Sequence, residues 1–242
     1  MTDTTSTEEV EYEYIVEDSA LRRDCDLWFA VPAGFVEIPI GDLFVAPGTP
    51  EGARVVEAVG KLLELVPEQK QPEFLSQLVE ARALAGTMLR EGVVHVSIGA
   101  HEGDDGRMLE SVLTITCKDV PFSPPKLAAV RAATSRQNAV PVAIVDLPCG
   151  PGAFTETVVE IPASADAQQR SVYEITAYLP YPNGRKLAVL TLTTTAVDAR
   201  EHYRDIHRGI AKLVSFDNPL PEDIKTQIPE SEVEASVRAV FG

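Results

Sequence analysis

Ser171 to Thr195 reads SVYEITAYLPYPNGRKLAVLTLTTT, and its reading decides the fold. Residues 171–179 and 186–195 are rich in Val, Ile, Leu, Thr and Tyr, types that suit a pleated, half-buried surface. Between them lies Tyr181-Pro182-Asn183-Gly184-Arg185. An Asn-Gly pair tolerates positive φ at both central positions of a tight turn. The stretch therefore predicts an antiparallel hairpin.

Beyond the hairpin, Asp198-x-x-Glu201 has the form of a capping box and opens a helix. Tyr203, Ile206, Ile210 and Leu213 follow at helical spacing and share one side. Arg200, Arg204, His207 and Arg208 fall mainly on the other faces. Before the hairpin, Val140–Leu147 and Thr155–Ile161 predict two strands around a turn at Pro148-Cys149-Gly150-Pro151-Gly152. Val94, Val96 and Ile98 alternate, as do Leu109, Leu113, Ile115 and Cys117, on either side of the polar turn HEGDDGR at 101–107. That is a second hairpin. Ser123-Pro124 opens a helix with Leu127 and Val130 as its apolar contacts. Thr49-Pro50 opens another, because Thr caps and Pro suits the first helical position. It carries Val55, Val56, Val59, Leu62, Leu63 and Val66, and Pro67 ends it. A further helix starts near Pro72 and Gly92 follows its end, so the two suggest an αα-hairpin. Leu27–Ile40 reads as strand, Pro32-Ala33-Gly34 turn, strand, with Trp28 in the core.

Together these elements predict an α+β fold. An antiparallel β-sheet of about six to eight strands is flanked by α-helices, an α/β sandwich. Residues 1–10 are expected to be a disordered acidic tail, 11–216 the folded domain, and 217–242 an acidic Pro-rich linker with a short C-terminal helix. Both halves show strand, helix and hairpin. Two similar lobes, 21–137 and 138–216, are the alternative to one continuous unit.

The 242 residues suffice for a sizeable core, and 45% hydrophobic with 24% charged residues is ordinary for a globular chain. The net charge of −16 is uneven, since residues 1–20 and 217–234 together carry 12 of those charges. Acidic ends repel a phosphate backbone, and no Lys/Arg run compensates, so nucleic acid is not an expected partner. No window is apolar enough for a membrane span, and the acidic N-terminus has no apolar core of a secretory signal. The expected location is the cytoplasm. Cys25, Cys117 and Cys149 are few, odd in number and widely spaced, which argues against a disulfide framework or a zinc site. Arg outnumbers Lys by 14 to 7, a mix typical of GC-rich bacteria.

The segment from Val140 to Phe216 contains VDLPCGPGAF and YEITAYLPYPNGRKLAVLTLTTTAVDAREHYRDIHRGIAKLVSF. In its order of strand, Gly-Pro turn, strand, hairpin and helix it resembles the PsbP-like α/β sandwich family, which includes LpqN-type actinobacterial proteins. The chain departs from LpqN-type members in having no lipoprotein signal and in the helical stretch from Thr49 to Arg90. The resemblance implies an antiparallel sheet with helices on its faces. It implies partner binding and no catalytic residue.

No GxGxxG, GxSxG, HExxH or phosphate-loop motif is present. Cys149, at a strand end, is the candidate catalytic residue of a thiol-dependent enzyme or hydrolase, and needs a histidine base from His95, His101, His202 or His207. His202 and His207 are five apart on one helix, poor spacing for a shared metal. The oxygen-rich loop His101–Gly106 lacks the acid spacing of a calcium loop. No cofactor and no metal are expected. The leading expectation is a non-catalytic accessory protein that binds another protein, with a homodimer as a further option. A thiol enzyme and a small-ligand binding domain are the alternatives.

Overall fold

The computed structural model of the chain describes residues 26–46, 48–102, 108–135, 141–161 and 170–219. Its strands are β1 (Phe35–Glu37), β2 (Val93–Glu102), β3 (Met108–Asp119), β4 (Val142–Leu147), β5 (Gly150–Ile161), β6 (Arg170–Pro180) and β7 (Lys186–Thr194). Its helices are α1 (Pro50–Leu65), α2 (Gln71–Arg90), α3 (Pro125–Thr134) and α4 (Arg200–Lys212). The fold is α+β, with one antiparallel sheet in the order β1-β2-β3-β7-β6-β5-β4. The halves 21–137 and 138–216 share this sheet, because β3 pairs with β7 from Ser111–Thr194 to Asp119–Lys186. Each half ends on a central strand, and the chain then leaves into a helix, α3 after β3 and α4 after β7.

The sheet buries two unequal faces. On one, Leu113, Ile115, Ile175, Ala177, Leu190 and Leu192 meet Tyr203, Ile210 and Ala211 of α4. Each fully buried aliphatic side chain there contributes roughly 1.5–3 kcal/mol. On the other, Ala153, Tyr178 and Leu187 meet Ala129 and Ala133 of α3. Beside α3 the second face is crossed by a row of threonines. Thr114, Thr191, Thr176 and Thr155 are register neighbours on four adjacent strands, and the Thr176 and Thr191 hydroxyls lie 3.3 Å apart.

The 181–185 turn differs from the expected one. Among the described residues only glycines take positive φ, so Asn183 does not. Gly184 N–H donates to Tyr181 O at 2.9 Å, closing a β-turn with Pro182 and Asn183 at its centre. Pro favours the first central position of such a turn. Gly184 then takes φ 64° where a Cβ would strike the carbonyl oxygen of Ser123. The capping box does not form either. A 3-10 turn, Val197–Ala199, precedes α4, so Asp198 sits ahead of the Ala199 cap position.

Helix α1 starts as expected, with Thr49 Oγ1 accepting from Gly52 N at 3.1 Å. Gln71 Nε2 closes its far end on the carbonyls of Leu63 and Val66. In α3 the expected contact Leu127 points to solvent, and the alanines pack instead. Small side chains let that helix approach the sheet closely. On α4 the buried face is Tyr203, His207, Ile210 and Ala211, while Leu213 is 46% exposed. His207 is therefore interior, not on an outer face. The expected strand before Pro32 reduces to one bridge, Trp28 to Ser215, with N–H···O bonds of 2.9 and 2.8 Å. Trp28 is buried as expected. Gly150, Pro151 and Gly152 belong to β5, so the β4–β5 turn contains only Pro148 and Cys149. Residues 1–25 and 220–242, most of the two acidic ends, lie outside the described residues, as does 103–107 of the HEGDDGR loop.

Candidate functional site

β4 reads VAIVDL and forms one edge of the sheet. Its inner side pairs with β5 from Val142–Thr155 to Leu147–Gly150. Among the described residues no strand pairs with its outer side. Four consecutive residues, Ala143 to Asp146, are exposed. Ile144 is 48% and Val145 37% exposed, on opposite faces. Beyond β4, the outer half of β5 adds Val158 and Val159, also exposed. Protein sheets usually blunt such an edge with Lys, Pro, a bulge or a cover. Here Pro141 and Pro148 only flank it. Among the described residues, the backbone donors and acceptors on the outer side of β4 have no strand partner, and apolar side chains stand on both of its faces.

Above this edge α4 is clamped to β5 by charge. Glu156 accepts from Arg204 Nε at 2.9 Å and from Arg204 Nη2 at 2.8 Å. The phenol of Tyr173 donates to it at 3.0 Å, and Arg208 lies 3.8 Å away. Burial works to raise the Glu156 carboxyl. The Arg204 and Tyr173 hydrogen bonds and the two guanidinium charges outweigh it and hold the group below the usual range. Burial and the facing carboxylate push Tyr173 up to about 12. Next to the clamp His207 is fully buried, its Nε2 3.0 Å from Leu190 O. Burial pushes it down to about 4, so near neutral pH it is an uncharged imidazole donating to that carbonyl. Such a group holds a helix on a sheet.

Cys149 lies in the two-residue β4–β5 turn, half-buried against the α4-side core. Burial pushes its thiol up, and only a backbone hydrogen bond at Cys149 itself opposes this. Among the described residues no cation or imidazole favours a thiolate there. His207 is committed to Leu190 O, and His95 lies on β2, beyond β3, β7, β6 and β5 from the Cys149 turn. His202 is exposed on α4, whereas His207 is buried, so the two share no face. Among the described residues no group of three His, Cys, Asp or Glu side chains is placed to hold a metal.

A buried polar patch on β2 had no motif to announce it. His95 and Ser97 point to the α4 side of the sheet, His95 Nδ1 lies 3.6 Å from Glu37 Oε1, and the Phe29 ring meets the imidazole edge-on at 4.8 Å. His95 Nε2 and Ser97 Oγ are buried without a hydrogen-bond partner among the described residues. The expected alternation of Val94, Val96 and Ile98 hid this. A register shift between Val93 and His95 leaves Val94 exposed, and the opposite set of residues faces the α4-side core. Polar residues at alternate positions, His95-x-Ser97, were the readable signal.

No protein-family model and no curated protein matches the chain. A solved structure from Bacteroides thetaiotaomicron, whose description states no function, is similar over 50% of this chain and 44% of that one. The identity is 10% and the TM-score 0.31. The chain thus spans less than half the length of that structure. No helix among the described residues is long and apolar enough to cross a membrane.

Proposed function

We propose that the chain is a non-catalytic accessory protein of a bacterial cytoplasm that acts by binding another protein. The β4 edge carries this reading: a six-residue, mostly apolar strand whose outer side is uncovered among the described residues can accept an extended segment of a partner by strand addition. In that mode the backbone supplies affinity, and alternate side-chain positions supply specificity. The resemblance to PsbP-like proteins agrees with a binding role. Capture of a partner from native extract by the wild-type chain, lost for Val145→Pro and for Ile144→Lys with thermal stability unchanged, is the expected result. Equal capture by all three chains sinks the reading.

Small-ligand binding is a second reading, favoured by the unpartnered His95 Nε2 and Ser97 Oγ. A metabolite screen that raises the Tm of the wild type but not of Ser97→Ala supports it, and no stabilisation by any compound removes it. The thiol-enzyme reading predicts that Cys149 reacts with iodoacetamide faster than an unhindered thiol near neutral pH. The raised thiol argues for slower reaction.

A further inference from the structure

We propose that residues 28–34 form a strap that lifts from the sheet and opens a polar site, His95 and Ser97 on β2, to a small molecule carrying a ring and a hydroxyl. The inference rests on the small-ligand reading of these two residues. It adds the entrance to the site and the class of ligand.

The strap is tied at its ends and loose between them. At one end Trp28 N–H donates to Ser215 O at 2.9 Å, and Ser215 N–H donates to Trp28 O at 2.8 Å. At the other, Ala100 N–H donates to Gly34 O at 3.1 Å. Among the described residues no hydrogen bond joins Phe29, Ala30 or Val31 to the sheet. Pro32, Ala33 and Gly34 are exposed. A segment with so few bonds opens locally at a fraction of the cost of unfolding.

The strap lays apolar side chains on polar ones. The Phe29 ring meets the His95 imidazole edge-on, with centroids 4.8 Å apart. Just past the Gly34 end, the Phe35 ring takes the space of a side chain at Gly99, since a Cβ there would lie 2.8 Å from it. Ser97 lies between His95 and Gly99 on the same face of β2. His95 Nε2 and Ser97 Oγ are thus sealed without a hydrogen-bond partner. Burying a hydroxyl or an imidazole nitrogen in this way costs free energy that contact with water returns. Burial of Phe29 and Val31 against the core opposes that cost and is of similar size. The closed strap is therefore only weakly favoured.

Once open, the site has a definite chemistry. Glu37 Oε1 stands 3.6 Å from His95 Nδ1. A carboxylate there favours the tautomer with its proton on Nδ1, which leaves Nε2 an acceptor. A ligand must bring a hydroxyl or amine proton to Nε2, and Ser97 Oγ can donate to it or accept from it. The place that Phe29 leaves is the size of a ring. Its floor includes Ile115 and Leu113, the β3 neighbours of His95 and Ser97. Phenol is a minimal molecule with both features.

Hydrogen–deuterium exchange of the full chain tests the proposal. The amides of Trp28, Ser215 and Ala100 read the strap, and those of Ile175 and Leu190 read the core. The strap amides should exchange about a hundredfold faster than the core amides. In Ser97→Ala both sets should slow by the same factor, about fivefold to tenfold, because lifting the strap exposes residue 97 as fully as unfolding does. Equal rates for the two sets in the wild type overturn the strap. So do strap amides that keep their rate in Ser97→Ala while the core slows, since they exchange without uncovering Ser97. No slowing of either set in Ser97→Ala overturns it as well. Phenol should speed the strap amides several-fold in the wild type, as a ligand of the open form must. It should have no such effect in Ser97→Ala, and toluene, which has no hydroxyl, should have none in either chain. Unchanged strap rates in phenol, or an equal effect of toluene, overturn the ligand class. A metabolite that raises the Tm of the wild type but not of Ser97→Ala, in a chain whose strap stays shut, defeats this inference alone. An opening strap with no response to phenol or to any metabolite defeats the small-ligand reading instead.

Discussion

β7 and β4 are made of the same kind of residue and meet opposite fates. β7 reads LAVLTLTT after Lys186, and β4 reads VAIVDL. In β7 Leu187, Ala188, Leu190, Leu192 and Thr194 are buried. In β4 no residue is fully buried. β7 lies near the middle of the sheet with strands on both sides and α4 above it. Among the described residues β4 has one strand neighbour. An apolar strand is thus an interior element or an exposed surface according to its place in the strand order. Under the proposed function, this exposed apolar strand is the surface that meets the partner.

The comparison can be broken or sharpened by measurement. The largest effect is expected in β7. Leu190→Ala removes a fully buried side chain under α4 and should cost about 2–5 kcal/mol in urea unfolding. A loss below about 1 kcal/mol would erase the contrast with β4.

The next effect is acid sensitivity seated on β7 through His207 and the Leu190 carbonyl. Its folded-state pKa of about 4 lies below the ordinary 6.5, so on acidification the unfolded chain takes up the proton first. Stability from this group is complete above pH 6.5 and falls as pH drops toward 4, by on the order of 3 kcal/mol in all. His207→Gln should flatten unfolding free energy against pH in that window. An unchanged slope would show that the imidazole is not the titrating group.

The smallest effect belongs to the edge. Ile144→Thr should change stability by about 0.5 kcal/mol or less, because nearly half of the side chain is already in water. A cost of 2 kcal/mol or more, the size of a core deletion, would mean that β4 is covered in solution.

Much of the fold was legible in the chain. The hairpin at 171–195 and the helix after it follow from turn residues and apolar spacing, and both are local signals. The α1 start at Thr49-Pro50 is likewise local, since the cap bonds a residue three positions on. The errors have a common cause. Leu127 and Leu213 scored as core by hydrophobicity, yet Ala129 and Ala211 pack there, because the distance between helix and sheet sets which size fits. His207 looked like a polar outer residue, but the Leu190 carbonyl gives it a partner inside. That carbonyl is 17 residues away in sequence, and no helical period reports it.

The candidate site was less legible. The apolar character of Val142–Leu147 was plain, and so was the acidity of both chain ends. Nothing in the residues said that β4 would lie at an edge. That follows from β3 pairing with β7 and not with β4, a contact between segments about 80 residues apart. Likewise Cys149 was readable as a turn cysteine, whereas its raised thiol comes from the packing of the β4–β5 turn against the core.

The sequence by itself therefore determined the elements, their antiparallel hairpins and the placement of charge at the ends. These depend on φ preferences, side-chain period and composition, all of which act over a few residues. Only the tertiary structure decided the strand order. It thereby set which apolar strand became core and which stayed open, because burial depends on neighbours that the chain brings together from far apart.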